Sequence, residues 1–149
     1  MSRTVTTADY QALAEFRYRI RCFLIASEEA ARTVGLEPQQ YLLLLAIRGL
    51  PEAHKPTIQT LAERLCVRHH SAVELIDRLE KHDLVRRVRA IKDRRQVLVR
   101  LTARGEQVLA RLARQRLREL CATGPALVRV LHAVISRTKR SSRARRTSR

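Results

Sequence analysis

Residues 84–105, LVRRVRAIKDRRQVLVRLTARG, constrain the fold more than any other stretch of the chain. They read as two short strands, about 85–91 and 96–101, separated by the charged residues 92–95, a spacing that suits a hairpin. Everywhere else the apolar residues recur at helical spacing. A single hairpin among helices excludes sandwiches and barrels. Four Gly and four Pro in 149 residues are also too few for the turns of an all-β protein. The expected architecture is mainly α with one small β-hairpin.

The helices follow from periodicity and punctuation. Ala12, Leu13, Phe16, Ile20, Phe23 and Leu24 give residues 8–34 one apolar face, with Thr7 as a candidate cap and Gly35 as a stop. Pro38 opens a second helix whose run Tyr41–Ile47 is apolar nearly all round, as expected of a central helix. Gly49 and Pro51 end it. After the polar loop 50–56, Thr57 (or Thr60) caps a short helix with Leu61, Ala62 and Leu65 inward. Cys66-Val67-Arg68 turns the chain into a fourth helix over 69–82, with Ala72, Val73, Ile76 and Leu79 on its apolar face. Beyond the hairpin, Thr102 caps a long helix to about Cys121. Gly124-Pro125 is expected to break it, and a last helix to follow over 125–137. Residues 138–149, TKRSSRARRTSR, lack a core-forming pattern and are expected to be a disordered basic tail. The core must be aliphatic, because the chain has no Trp, two Phe and three Tyr.

The formal net charge is +17 and it is unevenly spread. Residues 1–67 are nearly neutral, whereas Lys and Arg outnumber Asp and Glu from residue 68 onward. A polyanion partner is the natural reading, with nucleic acid ahead of a membrane surface. No apolar run reaches the roughly 20 residues of a membrane span, and the N-terminus lacks the apolar core of a signal peptide. Cys22, Cys66 and Cys121 form neither an even framework nor a CxxC pair. These features fit a reduced, cytoplasmic protein.

A short support helix at 57–65 followed by a helix at 69–82 is the arrangement that sets the second helix's first turns into a major groove. The candidate DNA contacts there are Thr57, Arg68, His69, His70 and Ser71, with Arg78 further along the helix. Imidazole and hydroxyl groups bond base edges and phosphates alike. Arg78 and Lys81 either meet phosphate or pair with Glu74 or Asp77. The hairpin tip adds Lys92, Asp93, Arg94 and Arg95 as a second grip. A narrow minor groove attracts an inserted Arg, and Asp93 is expected to hold a neighbouring guanidinium in place.

Leu61-Ala62-Glu63-Arg64-Leu65, Val67, Leu79-Glu80-Lys81 and Leu84-Val85-Arg86-Arg87 together resemble the winged helix-turn-helix core of MarR-family transcription regulators. So do Asp93-Arg94-Arg95, Val97-Leu98-Val99 and Leu101-Thr102-x-x-Gly105. The detailed pattern covers 57–105, and the order of helices extends the likeness over 8–137. It departs from the family in having Cys66 and Asp83 where Gly is usual, Arg68 where a small hydroxyl caps the reader, and a first helix that looks short. The resemblance implies one domain over 1–149. In it a winged-helix region at 38–102 sits between N- and C-terminal dimerisation helices at 8–34 and 103–137. It further implies a homodimeric regulator, usually a repressor of a nearby operon, on a pseudo-palindromic operator. Release would come from a small phenolic or anionic effector or, through Cys22 in the first helix, from an oxidant. Apart from the resemblance, the terminal helices carry more apolar surface than so small a domain covers, which also points to a homodimer.

Other chemistries find less support. Adjacent His69 and His70 point to different sides of a helix, so no metal is expected. There is no phosphate-binding Gly loop, carboxylate pair or nucleophile–His–Asp set, so neither an enzyme nor a cofactor is expected. Arg104, Arg111, Arg114, Arg116 and Arg118 read as a solvated face. The alternative function is a non-specific architectural or RNA-binding protein held by charge, although RNA binders more often expose aromatics for stacking.

Overall fold

The computed structural model describes residues 4–143, with side chains through Arg137. Its elements are α1 (Thr7–Thr33), α2 (Pro38–Arg48), α3 (Ile58–Leu65), α4 (His69–Lys81), β1 (Val85–Arg89), β2 (Val97–Leu101) and α5 (Ala103–Arg143). They form two units: residues 28–115, and residues 1–27 with 116–149.

The unit 28–115 holds the aliphatic core. Leu43 and Leu44 of α2, Leu61 of α3, Ile76 and Leu79 of α4, Val85, Val99 and Leu112 are all fully buried. Leu42 and Leu45 of the apolar α2 run stay half exposed, so α2 is less central than its sequence suggests. Its start is fixed by Pro38 and by the Glu37 N–H, which donates to Gln40 Oε1 at 2.9 Å. The cap of α3 is Thr57, whose Oγ1 accepts from the Thr60 N–H at 3.1 Å.

Both helix ends flanking the reader turn through left-handed residues that are not glycine: Cys66 at φ 55° and Asp83 at φ 54°. Each closes the helix with paired bonds. The Val67 N–H donates to the Ala62 carbonyl at 3.0 Å, and the Leu84 N–H to the Leu79 carbonyl at 2.9 Å.

β1 and β2 pair antiparallel, Val85 opposite Leu101 and Val88 opposite Leu98. The strands are shorter than the sequence suggests, because residues 90–96 close the tip with their own bonds. The Ala90 N–H donates to the Gln96 carbonyl and the Gln96 N–H to the Asp93 carbonyl. A third piece of chain was not apparent from the sequence: Thr57 bridges Leu98, and the Val99 N–H donates to the Pro56 carbonyl at 2.8 Å.

Thr102 joins the hairpin to α5. Its Oγ1 accepts from the Gly105 N–H at 3.0 Å and donates to the Asp83 carbonyl at 2.6 Å. Gly105 lies so close to β1 that a Cβ would run into the Leu84 carbonyl oxygen. This is the physical content of the Thr-x-x-Gly spacing.

The expected break at Gly124-Pro125 is overturned: α5 is one helix with Pro125 inside it. Proline removes a single backbone bond. The apolar positions Leu117, Leu120, Leu127, Leu131 and Val134 follow at spacings of three, seven, four and three, so one stripe continues through the proline after a step of two turns. The helix continues to Arg143, into the segment expected to be disordered; residues 144–149 of that tail lie outside the described residues.

In the other unit, α1 begins one residue earlier than expected. Thr6 is the cap, its Oγ1 accepting from the Asp9 N–H while its own N–H donates to Asp9 Oδ2 at 2.9 Å. Arg137 reaches the same Asp9 at 3.5 Å. Phe16, Ile20 and Phe23 are half-buried, but Leu13 and Leu24 are exposed, as are Leu117, Leu120, Val128 and Leu131 of α5. A cleft of about 520 Å³ is lined by Cys22, Phe23 and Ala26 on α1 and by Ala122, Ala126 and Leu127 on α5. By length and composition alone a stretch of α5 within Ala103–Arg137 is apolar enough to cross a membrane. It carries Arg129, and a cation at the centre of a bilayer costs roughly 2.5–3.5 kcal/mol, so a protein-covered face fits it better.

Candidate nucleic-acid interface

The predicted reader residues sit where the sequence places them. Arg68 holds the N-cap position of α4 in extended conformation, with no side-chain cap bond. Arg68, His69 and His70 are exposed and Ser71 is half-buried. The first N–H groups of α4 therefore have no side-chain cap from Arg68, in a turn bearing cationic and imidazole groups. Thr57 differs: its hydroxyl is engaged with Thr60, through the Thr60 N–H and, at 2.9 Å, the Thr60 hydroxyl. It caps the support helix.

Arg78 and Lys81 are exposed, and Asp77 pairs elsewhere. Its partner is Arg87 of β1, which the sequence did not single out. The Arg87 guanidinium binds Asp77 at 2.6 Å and also Glu80, while its backbone N–H donates to Glu80 Oε1 at 2.9 Å. Partial burial disfavours the Arg87 charge. The hydrogen bonds to Asp77 and Glu80 outweigh that, and its pKa is raised above the ordinary value. Two carboxylates three residues apart, followed by a strand rich in arginine, were the available signal. The clamp ties α4 to β1 and engages two of the acids on the reader helix, offsetting one of their two charges.

At the hairpin tip Lys92, Asp93, Arg94 and Arg95 are all exposed. The expectation that Asp93 positions a guanidinium is corrected. Its Oδ1 accepts from the Arg95 backbone N–H at 3.0 Å, a turn-forming bond that a short carboxylate makes readily. Asp93 shapes the loop, and among the described residues no ion pair joins it to Arg94 or Arg95. Lys55 joins the tip from the preceding loop, its Nζ donating to Gln96 Oε1 at 3.1 Å. On the hairpin body, exposed Arg86 and Arg100 stand directly opposite each other. Like charges so placed repel, and a polyanion laid along them would relieve the repulsion.

Among the arginines of α5 read as a solvated face, Arg104, Arg111, Arg114 and Arg118 are exposed. Arg116 is not: it is buried, paired with Glu119, and its Nε lacks a hydrogen-bond partner. Cys22 is exposed on α1. Its side-chain hydrogen bond with Tyr18 is the largest cause raising the Tyr18 phenol above its ordinary value. Among the described residues no three His, Cys, Asp or Glu side chains gather into a metal-holding group.

A capped support helix, a reader helix with an exposed cationic N-terminus and a two-stranded cationic wing define a winged helix-turn-helix. Residues 34–96 match the model of the MarR family. No match to the chain is found among curated proteins. Solved structures share the fold over most of the chain. AbsC, a MarR family transcriptional regulator from Streptomyces coelicolor, is 20% identical with a TM-score of 0.72, the alignment covering 98% of this chain and 99% of that one. A MarR family protein from Bacillus stearothermophilus is 21% identical with a TM-score of 0.69, over 97% and 99%. CouR from Rhodococcus jostii RHA1, solved bound to p-coumaroyl-CoA, is 22% identical with a TM-score of 0.61, over 83% and 82%.

Proposed function

We propose that the protein is a cytoplasmic, homodimeric transcription regulator that binds a pseudo-palindromic operator, acts as a repressor of a nearby operon, and works by binding rather than catalysis. The observation that carries this reading is the Arg87 clamp. It joins the reader helix to the wing and engages Asp77 and Glu80, and Arg68, Arg78, Lys92, Arg94 and Arg95 face solvent as a cationic set with His69 and His70 exposed beside them. In this reading the first turn of α4 enters the major groove, Arg94 or Arg95 enters the minor groove, and Ser71 and Asp93 shape the two contacts. The apolar faces of α1 and α5 in the unit 1–27 with 116–149 supply the dimer seam.

Release by an anionic aromatic effector is the form of control that CouR, bound to p-coumaroyl-CoA, supports by analogy. Oxidation of Cys22 is the second form. It predicts sulfenate trapping at Cys22 after mild peroxide treatment.

Footprinting on the intergenic DNA beside the gene tests the main reading. Arg94→Ala or Arg95→Ala is expected to weaken the footprint at least several-fold with the dimer intact. His70→Ala is expected to narrow the gap between operator and random duplex by about tenfold, the scale of one good base contact. Equal binding of all variants to all duplexes would instead identify a charge-driven architectural protein.

A further inference from the structure

Ile91 is 99% exposed, the most exposed of the large apolar side chains among the described residues. It stands on the tip beside Lys92, Asp93, Arg94 and Arg95, where every neighbour on one side is charged. The loop that carries it is held by hydrogen bonds on either side. The Ala90 N–H donates to the Gln96 carbonyl at 2.9 Å, Asp93 closes the turn onto the Arg95 N–H, and Lys55 holds the Gln96 side chain. A β-branched side chain on so tied a loop has few rotamers and no protein surface to cover.

We propose that Ile91 is an apolar probe of the minor groove, set against the deoxyribose walls and the floor of the base step that the wing covers, and that it reads the step by shape. The proposal rests on the DNA-binding reading above. Minor-groove proteins press apolar side chains against or between base steps, and flexible pyrimidine–purine steps yield most easily. Whichever of Arg94 and Arg95 does not enter the groove would supply attraction for the phosphates of any sequence. Ile91 would supply a choice, because the guanine amino group protrudes into the minor groove where an A·T pair leaves room.

The test begins by letting the wild-type chain enrich duplexes from a random-sequence pool. The enriched set is expected to show a preference for A·T or pyrimidine–purine steps flanking each half-site. Ile91→Ser is expected to enrich the same half-sites with that flanking preference lost, and to bind the wild-type duplex about tenfold more weakly, the scale of uncovering much of one Ile side chain. Ile91→Val is expected to stay close to wild type. Replacing flanking adenine by 2,6-diaminopurine, which adds only a minor-groove amino group, is expected to weaken the wild-type protein and leave Ile91→Ser unchanged.

Unchanged flanks and affinity in Ile91→Ser, or equal weakening of both proteins by diaminopurine, would overturn the role of Ile91 while leaving the regulator reading intact. A pool in which nothing is enriched would overturn both. A change in sedimentation without a change in DNA binding would mark Ile91 as a protein contact and overturn the proposal as well.

Discussion

Cys66 and Asp83 occupy backbone conformations that side chains with a Cβ resist, at φ 55° and 54°. The left-handed region costs an ordinary L-residue about 1–2 kcal/mol. A glycine there would forfeit roughly 0.5–1 kcal/mol through the freer unfolded chain. The balance favours Cys66→Gly by up to about 1 kcal/mol, or about 3 °C in the thermal midpoint. Asp tolerates this region better than most residues, so Asp83→Gly is expected to gain less. A calorimetric series on the two variants checks the order. Gly105 presents the opposite case: Gly105→Ala drives a Cβ into the Leu84 carbonyl, and because backbone, not a flexible side-chain end, must yield, a loss of about 3 kcal/mol or more is expected. At this scale the caps Thr57 and Thr102 were legible, because each accepts from an N–H three residues on, whereas the cap of α1 falls on Thr6 and not on Thr7. Asp93 was legible as a tip residue but not in its use, since a carboxylate can serve a guanidinium or a backbone N–H and only geometry separates the two.

The elements themselves were legible where periodicity was strong, and α2, α3 and α4 fall at or next to their expected bounds. The exceptions have tertiary causes. The Arg87 clamp joins residues ten and seven positions apart through a helix end and a strand, a relation that no local pattern contains. Its carboxylates are half exposed, so its worth is about 1–2 kcal/mol rather than that of a buried triad. Because the folded Arg87 pKa is raised, its contribution is complete below the unfolded value and fades only as pH climbs through the folded one. Titration near neutrality therefore leaves that group charged. Arg87→Met is expected to lower the denaturant midpoint accordingly and to weaken DNA binding beyond the loss of one distant cation, whereas Arg87→Lys restores part of both. The continuity of α5 is the second exception. Gly and Pro read as a break, yet the apolar stripe continues across them. Gly124 has nothing nearer its absent Cβ than Leu120 Cδ1 at 3.6 Å. Gly124→Ala is therefore expected to stabilise the helix by about 1 kcal/mol, measurable by thermal unfolding.

Across the whole molecule, charge and apolar surface make separate demands. The +17 formal charge opposes self-association at low salt. The exposed Leu117, Leu120, Val128 and Leu131 on α5, with Leu13 and Leu24 on α1, favour it. The proposed symmetric pair of chains would satisfy both, because it would bury the apolar faces while setting two cationic readers against one duplex, whose phosphates would offset their repulsion. Leu131→Glu with Val128→Glu places two carboxylates on that face, at positions that do not belong to the 28–115 unit. In sedimentation the variant is expected to run as a monomer whose winged-helix unit still unfolds cooperatively. Its binding to operator DNA is expected to fall by orders of magnitude, because two linked half-sites become two separate encounters. Its dependence on salt is expected to become shallower, since the slope of log K against log salt scales with the number of phosphates neutralised at once. A double variant that stays dimeric would move the seam elsewhere, and one that becomes monomeric yet keeps full affinity and slope would show that a single winged helix is the binding unit.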